Sequence, residues 1–334
     1  MMLGMLLGDV RNPSESTLQS GPAAHQLCWT LDALIRHRLH TRARERDGEF
    51  DPTDPVPAPT DHIRVGLLRW GTVTRGWKAH SPIDGWLAGL PALADDRGPT
   101  PVIDAAWTDL TEGRPLSSHD FRDSSVLFRT LPIAASAVVA DPDLIAGWCS
   151  AAGSMTHGHP EAWSTAAFLG VLTGSHLADV FCSGPWVPLD LLAPIRWFLR
   201  STPGHPLLDR LLPAISEAQW SPHALAALVP DDTAASVLAG ALYLFRHARN
   251  ARPQEVRALA TNTGSPTAVA SITGALIGLE QGLRWLDAGE LSRHELSWAL
   301  DALARDYCVT IWSPPAFDDE MDVLDEMAHR YPWT

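Results

Sequence analysis

The chain has 334 residues, 46% of them hydrophobic, with a formal net charge of −14 at pH 7. That length and apolar content suffice for one globular unit with a sizeable core and set aside a disordered or fibrous chain. The acidic balance opposes nucleic acid and anionic membranes as partners, because both are polyanions.

In chain order, Met1 to Leu7 is apolar and meets Asp9 without the positive n-region of a signal peptide, so it reads as a first helix. An Ala-rich amphipathic pattern predicts a helix over 23–46. The stretch 47–61, with Pro52, Pro55, Pro57 and Pro59, excludes helix and central strand and reads as an exposed loop. Trp70, Trp77 and Trp86 stand in a Gly/Pro-rich region. They have two readings: aromatic walls of a ligand pocket, or the core filling expected for most of the 14 tryptophans.

Helical patterns recur at 131–152, 160–180, 187–200, 223–229, 234–249, 253–262, 268–287 and 290–306. Pro160 with Glu161, and Pro253 with Glu255, suit first helical turns, and Ser292 ahead of Glu295 has capping-box spacing. Asp231-Asp232-Thr233 reads as the cap of the helix at 234, and the acidic 317–322 as a solvated helix start. Strand-like alternation is nearly absent, so the fold expected is all-α, with orthogonally packed helices in one domain spanning 1–334. The four cysteines form no CxxC pair and read as buried free thiols. There is no run of 18 apolar residues, so no membrane span is expected, and the cytoplasm is the expected location.

Five segments are informative together. They are Leu3 to Asp9, His25 to Ile35, Asp123 to Pro132, Thr156-His157-Gly158-His159-Pro160-Glu161-Ala162, and Gly264-Ser265-Pro266-Thr267 running on to Gly274 and Gly278. In this order they resemble the signatures of the ADP-ribosylglycohydrolase family. The resemblance implies a compact orthogonal multi-helix fold and a ligand cleft. In the family, carboxylates of a Thr-Asp-Asp-Thr motif and a Gly-Asp-Thr-Asp-Thr turn hold two magnesium ions. Here those motifs fall on Pro22-Ala23-Ala24-His25 and on Ser265 and Thr267, so four carboxylates are replaced. The glycines of a diphosphate-cradling loop fall on Asp123 and Ser125, where side chains and a negative charge oppose a phosphate.

No metal and no cofactor is therefore expected. The resemblance makes His157 a cleft residue oriented by Thr156; alternatively the pair caps the helix near Pro160. Asp123 and His157 are the candidate catalytic groups. Asp9, Ser124, Ser125, Thr156, His157, Ser265, Thr267, Trp70 and Trp77 are the candidate ligand contacts. The function expected is that of a diverged relative without the magnesium pair. It is either a pseudoenzyme binding a small, neutral or cationic molecule or a protein partner, or a repurposed metal-free enzyme of specialised metabolism. The alternative is an active ADP-ribosyl hydrolase with atypical ligands.

Overall fold

A computed structural model describes residues 1–49, 57–78, 83–97, 100–136, 141–184, 187–202, 204–312 and 319–332. The first helices are α1 (Met2–Gly8), α2 (Pro22–Arg46), α3 (Thr60–Arg75), α4 (Pro91–Ala94), α5 (Pro101–Thr111) and α6 (Ser125–Ser136). There follow α7 (Pro142–Ser154), α8 (Pro160–Ser183), α9 (Ala193–Ser201), α10 (Pro206–Ser216), α11 (Pro222–Leu228) and α12 (Ala234–Ala248). The chain closes with α13 (Pro253–Ala260), α14 (Pro266–Gln281), α15 (Ala288–Arg293), α16 (Ser297–Trp312) and α17 (Asp319–Arg330). Among the described residues there is no sheet, only isolated bridges such as Asp123 with Thr233. The expected all-α class is what forms.

The core gathers around α2, which packs on α3, α6 and α16. Against it lie the pairs α7 with α8 and α1 with α14. The last pair explains the small residues seen in the sequence. A Cβ at Gly4 would come 2.2 Å from the Gly274 carbonyl oxygen, and one at Gly8 would come 2.3 Å from that of Ala270. The two backbones therefore touch only because side chains are missing there. Since Gly8 meets Ala270 while Gly4 meets Gly274, the helices run antiparallel. The end of α1 is thereby pinned beside the start of α14.

The patterns at 23–46, 160–180 and 234–249 correspond to α2, α8 and α12 within a few residues. The pattern at 131–152 is two helices, α6 and α7. The sequence patterns miss helices α3, α4, α5 and α10; α3 begins at Thr60, directly after the prolines and inside the last residues of the expected loop 47–61. The Ser292–Glu295 capping box does not form: Ser292 lies inside α15, and Glu295 Oε1 accepts from the Ser20 amide and hydroxyl, both at 2.7 Å. The proline-rich residues 50–56, Trp186, Phe317, Asp318 and Trp333 lie outside the described residues. Helix α8 is, by length and composition, apolar enough to cross a membrane, but 61% of that stretch is buried in the fold, where it packs on α6, α7 and α9.

Candidate functional site

The starts of α2, α6 and α14, the turn before α12 and the end of α1 surround one cavity of about 390 Å³. Its lining includes Asp9, Pro22, Ala23, Gln26, Phe121, Asp123, Ser124, Ser125, Phe128, Asp232, Ser265 and Thr267. Helix starts carry free amides and a positive dipole end, which attract anions. Here the chain's own carboxylates answer them. Helix α2 has Gly21 as its N-cap, which lacks a capping side chain, and Asp9 supplies one from α1: its Oδ2 accepts from the Gly21 and Ala24 amides at 3.0 and 2.7 Å. A Cβ at Gly21 would lie 2.3 Å from Asp9 Oδ1, so the arrangement requires glycine. At the start of α6, Asp123 Oδ1 accepts from the Ser125 amide at 3.0 Å.

Asp123 is half-buried and braced from behind. His157, fully buried, places Nε2 3.3 Å from Ser125 Oγ and 3.5 Å from Asp123 Oδ2. Its Nδ1 lies 2.8 Å from Thr156 Oγ1 and 3.4 Å from Arg129 Nη2. A guanidinium only donates, so Nδ1 is the acceptor and the ring proton sits on Nε2, on the side of Ser125 Oγ and Asp123 Oδ2. Burial holds the His157 pKa below its usual value, against the pull of Asp123, so the ring is neutral. For Asp123 burial pushes upward, but the contacts from His157 and Ser125 outweigh it and keep the carboxyl below the usual range. Arg129, fully buried and drawn down to about 10 by burial, ties the layer together. It donates to the Ala152 carbonyl, to Gln26 Oε1 at 3.2 Å and to Thr156 Oγ1.

Asp232 closes the mouth. Its Oδ1 accepts from Ser124 Oγ at 2.7 Å and Ser265 Oγ at 2.5 Å, while the Ser124 amide donates to its carbonyl at 2.8 Å. Lost hydration on the cleft side and the charges of Asp123 and Asp231 raise its carboxyl, despite those hydroxyls. Asp9 is raised further, to about 7, by burial against its two amide bonds.

The structure thus brings together Asp9, Asp123, Ser124, Ser125, Ser265 and Thr267 on one cavity, with Thr156 and His157 directly behind it. His157 does not cap α8; the His159 ring does, accepting from the Glu161 amide at 3.1 Å. Trp70 and Trp77 are elsewhere. Trp70 is buried on α3 beside a small separate recess, and Trp77 packs on Gly71 and, at 4.3 Å between centroids, on Trp107. The aromatic walls are Phe121 and Phe128 instead. Three further residues escape the sequence reading: Gln26, Arg129 and Asp232. Arg129 had a signal, an arginine within the apolar run Val126 to Leu131 that must find partners. Asp232 had one too. Thr233 caps α12 through the Ser236 amide and Asp231 braces Thr233, which leaves the middle acid of the three over.

The profile of the ADP-ribosylglycohydrolase family matches residues 19–314. A solved structure described as an ADP-ribosylglycohydrolase-related protein complex superposes with a TM-score of 0.56 at 20% identity, covering 92% of this chain and 94% of that one. At that identity the likeness speaks to fold alone. Among curated proteins none matches. Because the profile runs through most of the chain, from the loop ahead of α2 into the segment after α16, this chain belongs to the ADP-ribosylglycohydrolase family.

Proposed function

We propose that this chain is a diverged family member whose cleft works without a magnesium pair and binds a small neutral or cationic molecule, in the cytoplasm and apart from nucleic acid and membranes. One observation carries the reading. Ala23, Ser265 and Thr267, which stand where the family resemblance implies metal-holding carboxylates, all line the cavity. Ala23 offers a methyl group, and the Ser265 hydroxyl is engaged by Asp232. Magnesium requires octahedral oxygen ligands, usually with carboxylates among them. Each of the three carboxylates present gives one oxygen to the chain itself, Asp9 Oδ2 to amides of α2, Asp123 Oδ1 to an amide of α6 and Asp232 Oδ1 to two serine hydroxyls. Among the described residues no group of three or more His, Cys, Asp or Glu side chains is placed to hold a metal ion. The donor set does not fit the pair, and no step is derived through it. A diphosphate is disfavoured for the same reason, since Asp123 already occupies the start of α6.

A second reading, a metal-free enzyme, is favoured by Asp123 and His157. The imidazole Nε2 lies 3.5 Å from Asp123 Oδ2, which keeps that oxygen on the cavity without a full hydrogen bond, an arrangement in which Asp123 can accept a proton from a bound substrate. Calorimetric titration with magnesium or manganese should show no micromolar site, and ADP-ribose should give no thermal shift with or without metal. A magnesium-dependent stabilisation by ADP-ribose, abolished in His157→Ala, would overturn the proposal in favour of an active ADP-ribosyl hydrolase with atypical ligands.

A further inference from the structure

We propose that the cleft selects an organic ammonium ion bearing a neighbouring hydroxyl or carbonyl oxygen, held between the carboxylates of Asp123 and Asp232 with Phe121 and Phe128 alongside. The inference rests on the metal-free reading above and narrows its ligand to a cation. Three carboxylates, Asp9, Asp123 and Asp232, line the cavity, and among the described residues its lining contains no arginine, lysine or histidine. The guanidinium of Arg129 lies behind the wall, engaged by Gln26, Ala152 and Thr156. A cation entering the cleft therefore meets uncompensated negative charge, whereas an anion meets repulsion.

Independent evidence comes from polar atoms left without partners. Asp9 is 1% exposed and its Oδ1 has no hydrogen-bond partner; Gln26 is 0% exposed and its Nε2 has none. Both residues line this same cavity. An unpaired buried polar atom forfeits the hydrogen bonds it had in water, so such atoms are normally satisfied. The two orphans ask for opposite things once Asp9 is ionised beside a cation: Asp9 Oδ1 for a donor, Gln26 Nε2 for an acceptor. Asp123 Oδ2 also has room, with His157 Nε2 no nearer than 3.5 Å. A ligand presenting N–H groups beside an oxygen supplies both needs. The cavity volume lies within the usual range for small-molecule sites.

The test is a charge series on one skeleton: 2-amino-1-phenylethanol as the cation, 1-phenyl-1,2-ethanediol as the neutral form and mandelate as the anion. Calorimetry at low salt should show the amine binding at least tenfold tighter than the diol, and mandelate not at all. Asp123→Asn and Asp232→Asn keep the local hydrogen-bond acceptors. Each should weaken the amine at least fivefold while leaving the diol within twofold. Equal binding of amine and diol overturns the inference but leaves the proposed function standing, with a neutral ligand. Preference for mandelate, or no binding by any of the three, also overturns it. Magnesium-dependent binding of ADP-ribose in place of the series would sink the underlying reading as well.

Discussion

Helix α2 gives Gln26 to the cleft and, within three turns, Asp32 and Arg36 to a second buried polar cluster, and the two clusters handle charge in opposite ways. In the second cluster Asp32 Oδ2 accepts from Arg36 Nε at 2.8 Å and from Arg69 Nη1 at 2.6 Å. Asp84 Oδ1 accepts from the same two arginines at 2.9 and 3.0 Å. Two positive groups face two negative ones, and both Asp32 oxygens are engaged. In the cleft, three carboxylates line one cavity with no basic side chain among the described lining residues, and atoms of Asp9, Gln26 and Asp123 lack partners. Closed pairing of this kind holds α2, α3 and the segment around Asp84 together. Open pairing leaves work for a ligand. The two clusters therefore differ first in charge balance: the buried one matches two guanidinium groups with two carboxylates, although Arg69 Nε is left without a partner, and the cleft matches its carboxylates with none.

The largest effect should come from breaking the closed cluster. Asp32→Ala leaves Arg36 and Arg69 buried with one anion fewer, and removing one partner of a buried pair costs about 3–5 kcal/mol. Urea unfolding at pH 7 measures it. A loss below about 1 kcal/mol would mean that water or rearrangement repairs the site, and the contrast with the cleft would fail.

The sequence disclosed the helical class, and α2, α8 and α12, because long amphipathic stretches impose their own period. It did not disclose α3, since a proline-rich run directly ahead and a tryptophan-rich composition masked a helix whose buried face is Ile63, Leu67, Leu68 and Trp70. The site was legible where a short motif carries it, as at Asp123 and His157. It was illegible where partners come from distant segments. Nothing near Asp9 announces that it caps a helix beginning at Pro22, and nothing in Asp231-Asp232-Thr233 says which acid turns to Ser124 and Ser265. The tryptophans misled for a related reason: a Gly/Pro-rich neighbourhood suggested an open pocket, but Gly71 is there so that Trp77 can press against α3.

The next effect is pH-dependent and sits in the cleft. The Asp9 carboxyl rises from 3.8 to about 7 in the fold. Between those values the unfolded chain loses its proton while the folded chain keeps it, so this group's stabilisation is full below pH 3.8 and is lost as pH climbs through 7. Asp9→Asn retains an acceptor for the Gly21 and Ala24 amides and cannot ionise. It should match the wild type near pH 4 and exceed it by roughly 1–2 kcal/mol at pH 8, within the ceiling such a shift allows. His25, His37, His62 and His294, all depressed by burial, act in the other direction, stabilising above pH 6.5 and weakening the fold as pH falls toward 4. The difference between variant and wild type cancels them and is the quantity to plot. A flat difference would show that Asp9 ionises normally.

The smallest stability effect should be at Asp232, and its smallness is the sharpest form of the comparison. Asp232→Asn keeps the oxygen that Ser124 and Ser265 donate to while removing a charge that opposes Asp123 and Asp231. A structural carboxylate such as Asp32 loses its reason to exist when neutralised, because buried guanidinium groups are left behind. Among the described residues no basic side chain pairs with Asp232. Its stability should stay within about 0.5 kcal/mol of wild type, as for substitutions outside packed networks, and relief of like-charge repulsion should set the sign toward stabilisation. Chemical denaturation at pH 7 reads this directly. A loss comparable to that of Asp32→Ala would mean that Asp232 is a brace for the turn before α12, and the cleft would then be held together by the same logic as the buried cluster.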